Sequence, residues 1–208
     1  STAVSFRVAV VLLKKGEPKM LYHASPVPNI ETLTTHISNH GKPLIYFSQK
    51  PENVLVYLCN AVEKCCRENG FAHNGIYRKW GSYGFNSEGV LVLDEYWVDA
   101  TMETYKGQEG YIYSVEEDGS FCDLEGIPFA KISEKPVKVL SCEHIPDAYS
   151  ALLQAAEEGK IVLTKYEDNS PKKLEWIRKT TLEEYNDKDC GEEYKFFLEK
   201  KFPSIINN

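Results

Sequence analysis

The chain has 208 residues and a net charge of −7, with 24 Lys and Arg against 31 Asp and Glu. Its length and ordinary composition predict one large globular domain, or a domain with an appendage. An acidic chain without blocks of like charge lacks the electrostatic footprint of a protein that binds nucleic acid nonspecifically.

The first predicted element is an apolar, β-branched run at residues 8–13. It is too short to span a membrane, and no signal peptide is recognisable. The six cysteines lack the Cys-x-x-Cys spacing of a zinc ribbon. We therefore expect a cytoplasmic protein with reduced cysteines and no membrane partner.

Two short apolar strands each bring polar or aromatic groups to their ends. The first is predicted at residues 19–23 and ends with Tyr22 and His23. The second is predicted at residues 44–47 and carries Tyr46. Two buried strands that end in such groups can form the walls of a cleft.

A helix is predicted to begin near Pro51 and to run to Cys66, because its apolar residues fall at helical spacing. An aromatic, glycine-rich segment at 75–85 follows and is predicted to contribute to the core and to cover the cleft. Within it, Arg78 and Lys79 are candidates for contacts with a pyrophosphate.

The following part of the chain is rich in predicted strands. These lie at residues 90–93, 110–115, 132–140 and 161–166. Residues 116–119 are predicted to form a hairpin-like turn, residues 100–108 a loop, and Asp147 to Glu158 a capped helix. Because strands and helices do not alternate steadily, the pattern indicates an α+β fold.

The character of the chain changes after residue 166. Charged amphipathic helices are predicted at residues 171–184 and 192–201. We therefore predict a core domain at residues 1–166 and a C-terminal helical extension at residues 167–208. The extension is expected to pack on the core, and the alternative is that it docks on a protein partner.

Two sequence motifs resemble the ADP-ribosyltransferase superfamily. They are Leu-Tyr-His-Ala-Ser at residues 21–25 and Ile-Tyr-Phe-Ser at residues 45–48, the latter followed by a helix. In the diphtheria-toxin-like branch, a first strand ends in His-Gly-Ser or a near variant, and a second carries Tyr before a small hydroxyl residue. Poly(ADP-ribose) polymerases, rifamycin ADP-ribosyltransferases and RNA 2′-phosphotransferases share this layout, and the chain resembles a bacterial-type member. The resemblance covers residues 19–166 and implies a split mixed β-sheet with flanking helices.

The resemblance implies that NAD, as substrate, is held by the ends of both strands. The implied NAD-binding residues are Tyr22, His23, Ala24, Ser25, Tyr46 and Ser48. His23 is assigned a hydrogen bond to the adenosine ribose, and Ala24 offers backbone groups to the nicotinamide amide. Tyr46 stacks on the nicotinamide ring with Ser48 beneath it, and His23 and Tyr46 are counted among the catalytic residues.

A catalytic carboxylate is also implied, on a later strand. Loss of nicotinamide leaves an oxocarbenium-like ribose, which a carboxylate bonded to the 2′-hydroxyl stabilises. Residues 133–139 resemble the Ser-x-Asp-Pro-Leu-Arg-Val segment of the rifamycin enzymes, with Lys135 at the acidic position. The implied acid is Glu134, one residue earlier, where a bulge would have to restore its direction. The alternative acids are Glu88, Glu95 and Glu109.

Three functions remain open from the sequence. The first is an NAD-binding enzyme that transfers ADP-ribose to an unknown acceptor or hydrolyses NAD. The second is a catalytically inactive module that binds NAD or a related nucleotide, and the third is an interaction protein without a small-molecule site. His36 and His40 have the i, i+4 spacing of metal ligands, but no Glu-rich helix frames them and we expect no metal.

Overall fold

The structure is a computed structural model that describes residues 19–37, 42–73 and 83–207. The predicted run at 8–13 lies outside the described residues, as do His40, Arg78 and Lys79. Within the described ranges, no helix has both the length and the apolar character needed to cross a membrane. All six cysteines fall in these ranges, and none of them forms a disulfide there.

Short strands and short helices are interleaved along the described chain. The strands are β1 Met20–Ser25, β2 Thr32–Leu33, β3 His36–Ile37, β4 Pro43–Ser48, β5 Tyr83–Phe85, β6 Leu91–Asp94, β7 Gly110–Glu116, β8 Cys122–Asp123, β9 Ala130–Ser133, β10 Val137–Lys138, β11 Ser141–Ile145 and β12 Ile161–Thr164. The helices are a 3-10 helix Pro51–Leu58, α1 Ala61–Glu68, α2 Ala100–Tyr105, α3 Ala148–Glu157, a 3-10 turn Tyr166–Asp168, α4 Pro171–Tyr185, α5 Glu192–Lys201 and α6 Pro203–Ile206. The predicted α+β class is confirmed.

The larger sheet contains both strands whose ends the sequence singled out. Its order is β11-β7-β1-β4-β9-β8, with β3 paired to the start of β4. The pairings within this sheet are antiparallel. A smaller sheet with the order β12-β6-β5 contains the parallel pair of β6 and β12. The smaller sheet is mixed, since β5 pairs with β6 in the antiparallel direction, and in the described chain a third sheet consists of the antiparallel pair β2 and β10.

The larger sheet opens between β1 and β4. These strands are paired at Tyr22 and Ser48 alone, whereas β1 and β7 are paired along the whole length of β1. Beyond that pair, a side chain and not the backbone of β1 bonds to β4. The Nδ1 atom of His23 lies 2.8 Å from the carbonyl oxygen of Tyr46. A gap flanked by side chains of both strands is the result.

Alternation along the strands gives the larger sheet two apolar faces. One face contributes Ile112 to a core that includes Leu152 of α3. The opposite face contributes Leu21, Phe47 and Tyr113 to a second core. Both faces of the sheet are therefore packed against apolar side chains, and this packing positions the ends of β1 and β4.

The C-terminal helices pack on α1 and on the segment before α2. Phe197 of α5 is 0% exposed and joins Trp97 in a third core. Glu95, which is also 0% exposed, forms an ion pair of 3.2 Å with Lys165 at the entry to the C-terminal helices. The C-terminal helices therefore share a core with earlier elements, and the status of residues 167–208 as a separate domain stays a prediction.

Two predictions for the part of the chain before residue 110 are wrong. The first missed a helix cap, and the second missed a contact between residues that are distant in sequence. The predicted helix from Pro51 to Cys66 is broken, because the side chain of Asn60 accepts a hydrogen bond from the backbone N–H of Glu63 and starts a new helix. The predicted loop at 100–108 contains α2. The ammonium of Lys64 donates to the carbonyl oxygens of residues 103 and 104 at 2.7 and 3.1 Å, and so stabilises the end of that helix.

The predicted strand at 132–140 is also corrected. It is divided into the end of β9 and the short strand β10. Strand β9 ends at Ser133, whose hydroxyl accepts a hydrogen bond from the backbone N–H of Lys135 and donates to its carbonyl, so the chain bends there. The turn at 116–119 does not join a hairpin, since β7 pairs with β1 and β11. Strand β11 was not predicted, because its residues are mostly polar and exposed.

Candidate functional site

A pocket of about 350 Å³ lies beside the gap between β1 and β4. Four residues singled out from the sequence line it: His23, Ala24, Tyr46 and Ser48. The volume lies within the range of about 300–1,000 Å³ that is usual for small-molecule sites. The structure therefore brings the two sequence motifs together around one pocket.

The end of β1 contributes His23 and Ala24 to the pocket. The other two predicted residues of this strand have different surroundings. Tyr22 packs against the core beneath α3. The hydroxyl of Ser25 accepts a hydrogen bond from the backbone N–H of Val27 at 3.1 Å and shapes the loop after the strand. Neither Tyr22 nor Ser25 is among the residues that line the pocket.

The end of β4 contributes Tyr46 and Ser48 and leads directly into the second wall. The hydroxyl of Ser48 accepts a hydrogen bond from the backbone N–H of Lys50 at 3.1 Å, which turns the chain toward the 3-10 helix. That helix then adds Asn53 and Tyr57 to the pocket lining. One continuous segment thus forms two walls of the site.

The connection between β8 and β9 forms the third wall, and Phe85 of β5 completes the lining. Phe129 in this connection has a φ of 60°, an uncommon conformation for a residue other than glycine. Its carbonyl accepts a hydrogen bond from the backbone N–H of Gln49 at 2.9 Å, and the ammonium of Lys50 lies 4.0 Å from its ring centre. Gly89 has a φ of 75°, and a Cβ there would come within 3.0 Å of the Phe129 ring. Several contacts therefore hold a strained connection against the pocket.

His23 is the titratable group at the centre of the gap. Burial lowers its pKa below the ordinary value, the hydrogen bond to the Tyr46 carbonyl opposes this effect, and His36 lowers the pKa further. Since a carbonyl can only accept, Nδ1 of His23 carries the proton in that bond. A neutral ring in this tautomer has its acceptor lone pair on Nε2.

We expect His23 to make stability depend on pH below neutrality. The unfolded chain takes up a proton near pH 6.5, whereas the folded chain keeps His23 neutral to a lower pH. Above about pH 6.5, His23 therefore leaves the free energy of unfolding unchanged. Below that pH, it lowers the free energy of unfolding by at most about 1.4 kcal/mol for each pH unit. Denaturant unfolding between about pH 7.5 and 5.5 measures this slope. His23→Asn, which can still donate to the Tyr46 carbonyl, should flatten it, and an unchanged slope in the variant would contradict the assignment.

The predicted acid Glu134 lies at the bend after β9, is exposed, and does not line the pocket. Glu95 is enclosed, where it accepts hydrogen bonds from Lys165 and from two backbone N–H groups. Glu109 pairs with His144 on the surface at 3.2 Å, and Glu88 is exposed in the turn before β6. In the part of the chain that the structure describes, no carboxylate lines the pocket.

Potential metal ligands and two of the cysteine thiols bear on other kinds of chemistry. Within those ranges, no group of three His, Cys, Asp or Glu side chains could hold a metal ion. Burial raises the pKa of Cys59 to about 11 and that of Cys66 to about 11. Both thiols are therefore protonated at neutral pH, and a protonated thiol is a poor nucleophile.

Sequence reasoning missed the walls formed by Asn53, Tyr57 and the connection between β8 and β9, whereas Phe85 belongs to the aromatic segment that was predicted to cover the cleft. The sequence signal that could have indicated one of these walls was Asn53, a polar residue directly before the apolar run Val54 to Val56. The pocket combines aromatic walls with a few polar groups, an arrangement that suits a flat heteroaromatic ring with a hydrogen-bonding substituent.

Comparison of the chain with models of known protein families, with curated proteins and with solved structures finds no match.

Proposed function

We propose that the protein binds NAD with the nicotinamide end in this pocket, and that it transfers ADP-ribose to an acceptor or hydrolyses NAD. One observation carries the proposal. His23 and Ala24 on β1, and Tyr46 and Ser48 on β4, line the same pocket although the two motifs are separate in sequence. These are the residue types and positions in which the chain resembles ADP-ribosyltransferases.

The lining favours the nicotinamide ring over the phosphates. Tyr46, Tyr57 and Phe85 supply aromatic surface, and the nicotinamide ring of NAD is cationic, so the π faces attract it. The pocket lies at the opening between β1 and β4, where Ala24 can offer backbone groups to the carboxamide. Nε2 of His23 can accept a hydrogen bond from a ribose hydroxyl.

The chemical step breaks the bond between the ribose C1′ and the nicotinamide nitrogen, and the bonding electrons leave with the nicotinamide. An acceptor hydroxyl or water then attacks the oxocarbenium-like ribose and loses a proton. In our proposal Glu134 stabilises the ribose cation. Its support is that Glu134 directly follows β9, the strand that pairs with β4.

A second candidate is a protein that binds NAD or a related nucleotide and does not react with it. The observation in its favour is that none of the described residues lining the pocket is a carboxylate. Both candidates require NAD binding, and nicotinamide release is expected from the first alone. An assay that follows free nicotinamide over time separates them.

We expect Tyr46→Ala to raise the Kd for NAD by about 10- to 100-fold, since one lost stacking contact costs about 1–3 kcal/mol. Tyr46→Phe retains the ring and serves as the matched control, with affinity close to that of the wild type. Isothermal titration calorimetry measures both variants. Equal affinity in the wild type and Tyr46→Ala would remove the nicotinamide from the place we assign to it.

A further inference from the structure

Asn53 is a buried amide with an unused hydrogen-bond donor. Its residue is 4% exposed, and its Nδ2 has no hydrogen-bond partner in the described structure. Three other buried polar side-chain atoms of the described residues share this condition, on Thr101, Glu117 and Thr181. Of these four residues, Asn53 is the one that lines the pocket.

The position of Asn53 is fixed by its backbone. It lies in the first turn of the 3-10 helix, where its backbone N–H donates to the carbonyl of Lys50 at 3.2 Å. The following residues Val54 and Leu55 are 3% and 5% exposed and anchor the helix in the core. Burying an unpaired amide donor lowers the stability of a folded protein, so a pocket residue of this kind is better explained by a ligand than by packing.

The pocket also lacks the features of an anion site. Among its lining residues within the described ranges there is no Lys or Arg. An anion buried among Tyr57, Phe85 and Ile127 would lose its hydration, and one neutral donor would offset little of that free-energy cost. An uncharged carbonyl needs only one hydrogen-bond donor and no positive charge beside it. The donor of Asn53 therefore matches a neutral acceptor on an aromatic ring.

We propose that Nδ2 of Asn53 donates a hydrogen bond to the carboxamide oxygen of nicotinamide, so that the pocket selects the uncharged amide head group over nicotinate. This inference rests on the proposed function, and it adds a specificity-determining residue to that site. Nicotinic acid adenine dinucleotide, which carries a carboxylate in place of the amide, is the discriminating ligand.

The test compares Asn53→Leu with Thr181→Val, a matched control that removes an unpaired buried hydroxyl from α4. Neither substitution is expected to lower the Tm of the ligand-free protein, because each removes an unsatisfied buried polar group. Asn53→Leu should raise the Kd for NAD about 10-fold, the value of one hydrogen bond, whereas Thr181→Val should leave it unchanged. The wild type should bind NAD at least about 10-fold more tightly than nicotinic acid adenine dinucleotide, and Asn53→Leu should reduce that preference.

The outcomes separate the two proposals. If the wild type binds NAD and Asn53→Leu binds it equally well, the role of Asn53 is overturned and the proposed function stands. If the wild type does not bind NAD, both proposals are overturned. If Asn53→Leu does not fold, the wild-type comparison decides, and equal affinity for the two dinucleotides overturns the inference.

Discussion

Glu134→Gln should lower the rate of nicotinamide release from NAD by about 10²–10³-fold, the usual cost of removing one group that stabilises transition-state charge. Gln keeps the shape of the side chain and removes its charge, so the ribose cation loses its partner. Because Glu134 is exposed, the Tm should not change. The expected loss is in kcat, since the interaction forms only as the positive charge develops.

Glu143→Gln is the matched control for this measurement. Glu143 is an exposed carboxylate on β11, away from the pocket, and its replacement should leave the rate of nicotinamide release unchanged. If Glu134→Gln releases nicotinamide as fast as the wild type, Glu134 is not the catalytic acid. If the wild type binds NAD and releases no nicotinamide, the non-catalytic candidate is correct.

Phe197→Ala should lower the free energy of unfolding by about 3–5 kcal/mol, as expected for a large aromatic side chain removed from a core. The Phe197 ring lies 5.7 Å from that of Trp97 in an edge-to-face contact and 6.2 Å from that of Tyr194 in a stacked one. It is 0% exposed, so the lost volume leaves a cavity between the C-terminal helices and the segment before α2. Chemical denaturation measures the change.

Trp176→Ala tests whether the effect of Phe197→Ala comes from burial. Trp176 is the larger side chain and lies on α4 of the same C-terminal region, but it is 45% exposed. We therefore expect a smaller loss of stability from Trp176→Ala than from Phe197→Ala. Equal losses, or a small loss in both variants, would contradict the conclusion that the C-terminal helices share a core with the earlier elements.

Elements with local signals could be predicted from the sequence. The helix predicted after Asp147 is α3, and its cap is visible because the side chain of Asp147 accepts the backbone N–H of Ser150 at 2.7 Å. Helices α4 and α5 follow the predicted amphipathic patterns, with ends at or next to the predicted residues. Strands β1 and β4 lie where short apolar runs predicted them.

Elements that depend on distant partners could not be predicted. Helix α2 is six residues long and is stabilised at its end by Lys64, which belongs to α1. The bend at Ser133 depends on a side-chain hydrogen bond with Lys135, and that bend determines where Glu134 lies. The third wall of the pocket depends on the fit of Phe129 against Gly89, which no local pattern encodes.

The most direct test of NAD binding in the pocket is an amide ¹H–¹⁵N NMR titration of the protein with NAD. We predict saturable shifts at the backbone amides of Ala24 and Ser48 and at the side-chain amide of Asn53. Glu143, on the outer strand β11, should not shift. If no saturable shifts occur, or if they occur only at residues away from β1, β4 and the 3-10 helix, the proposed site is contradicted.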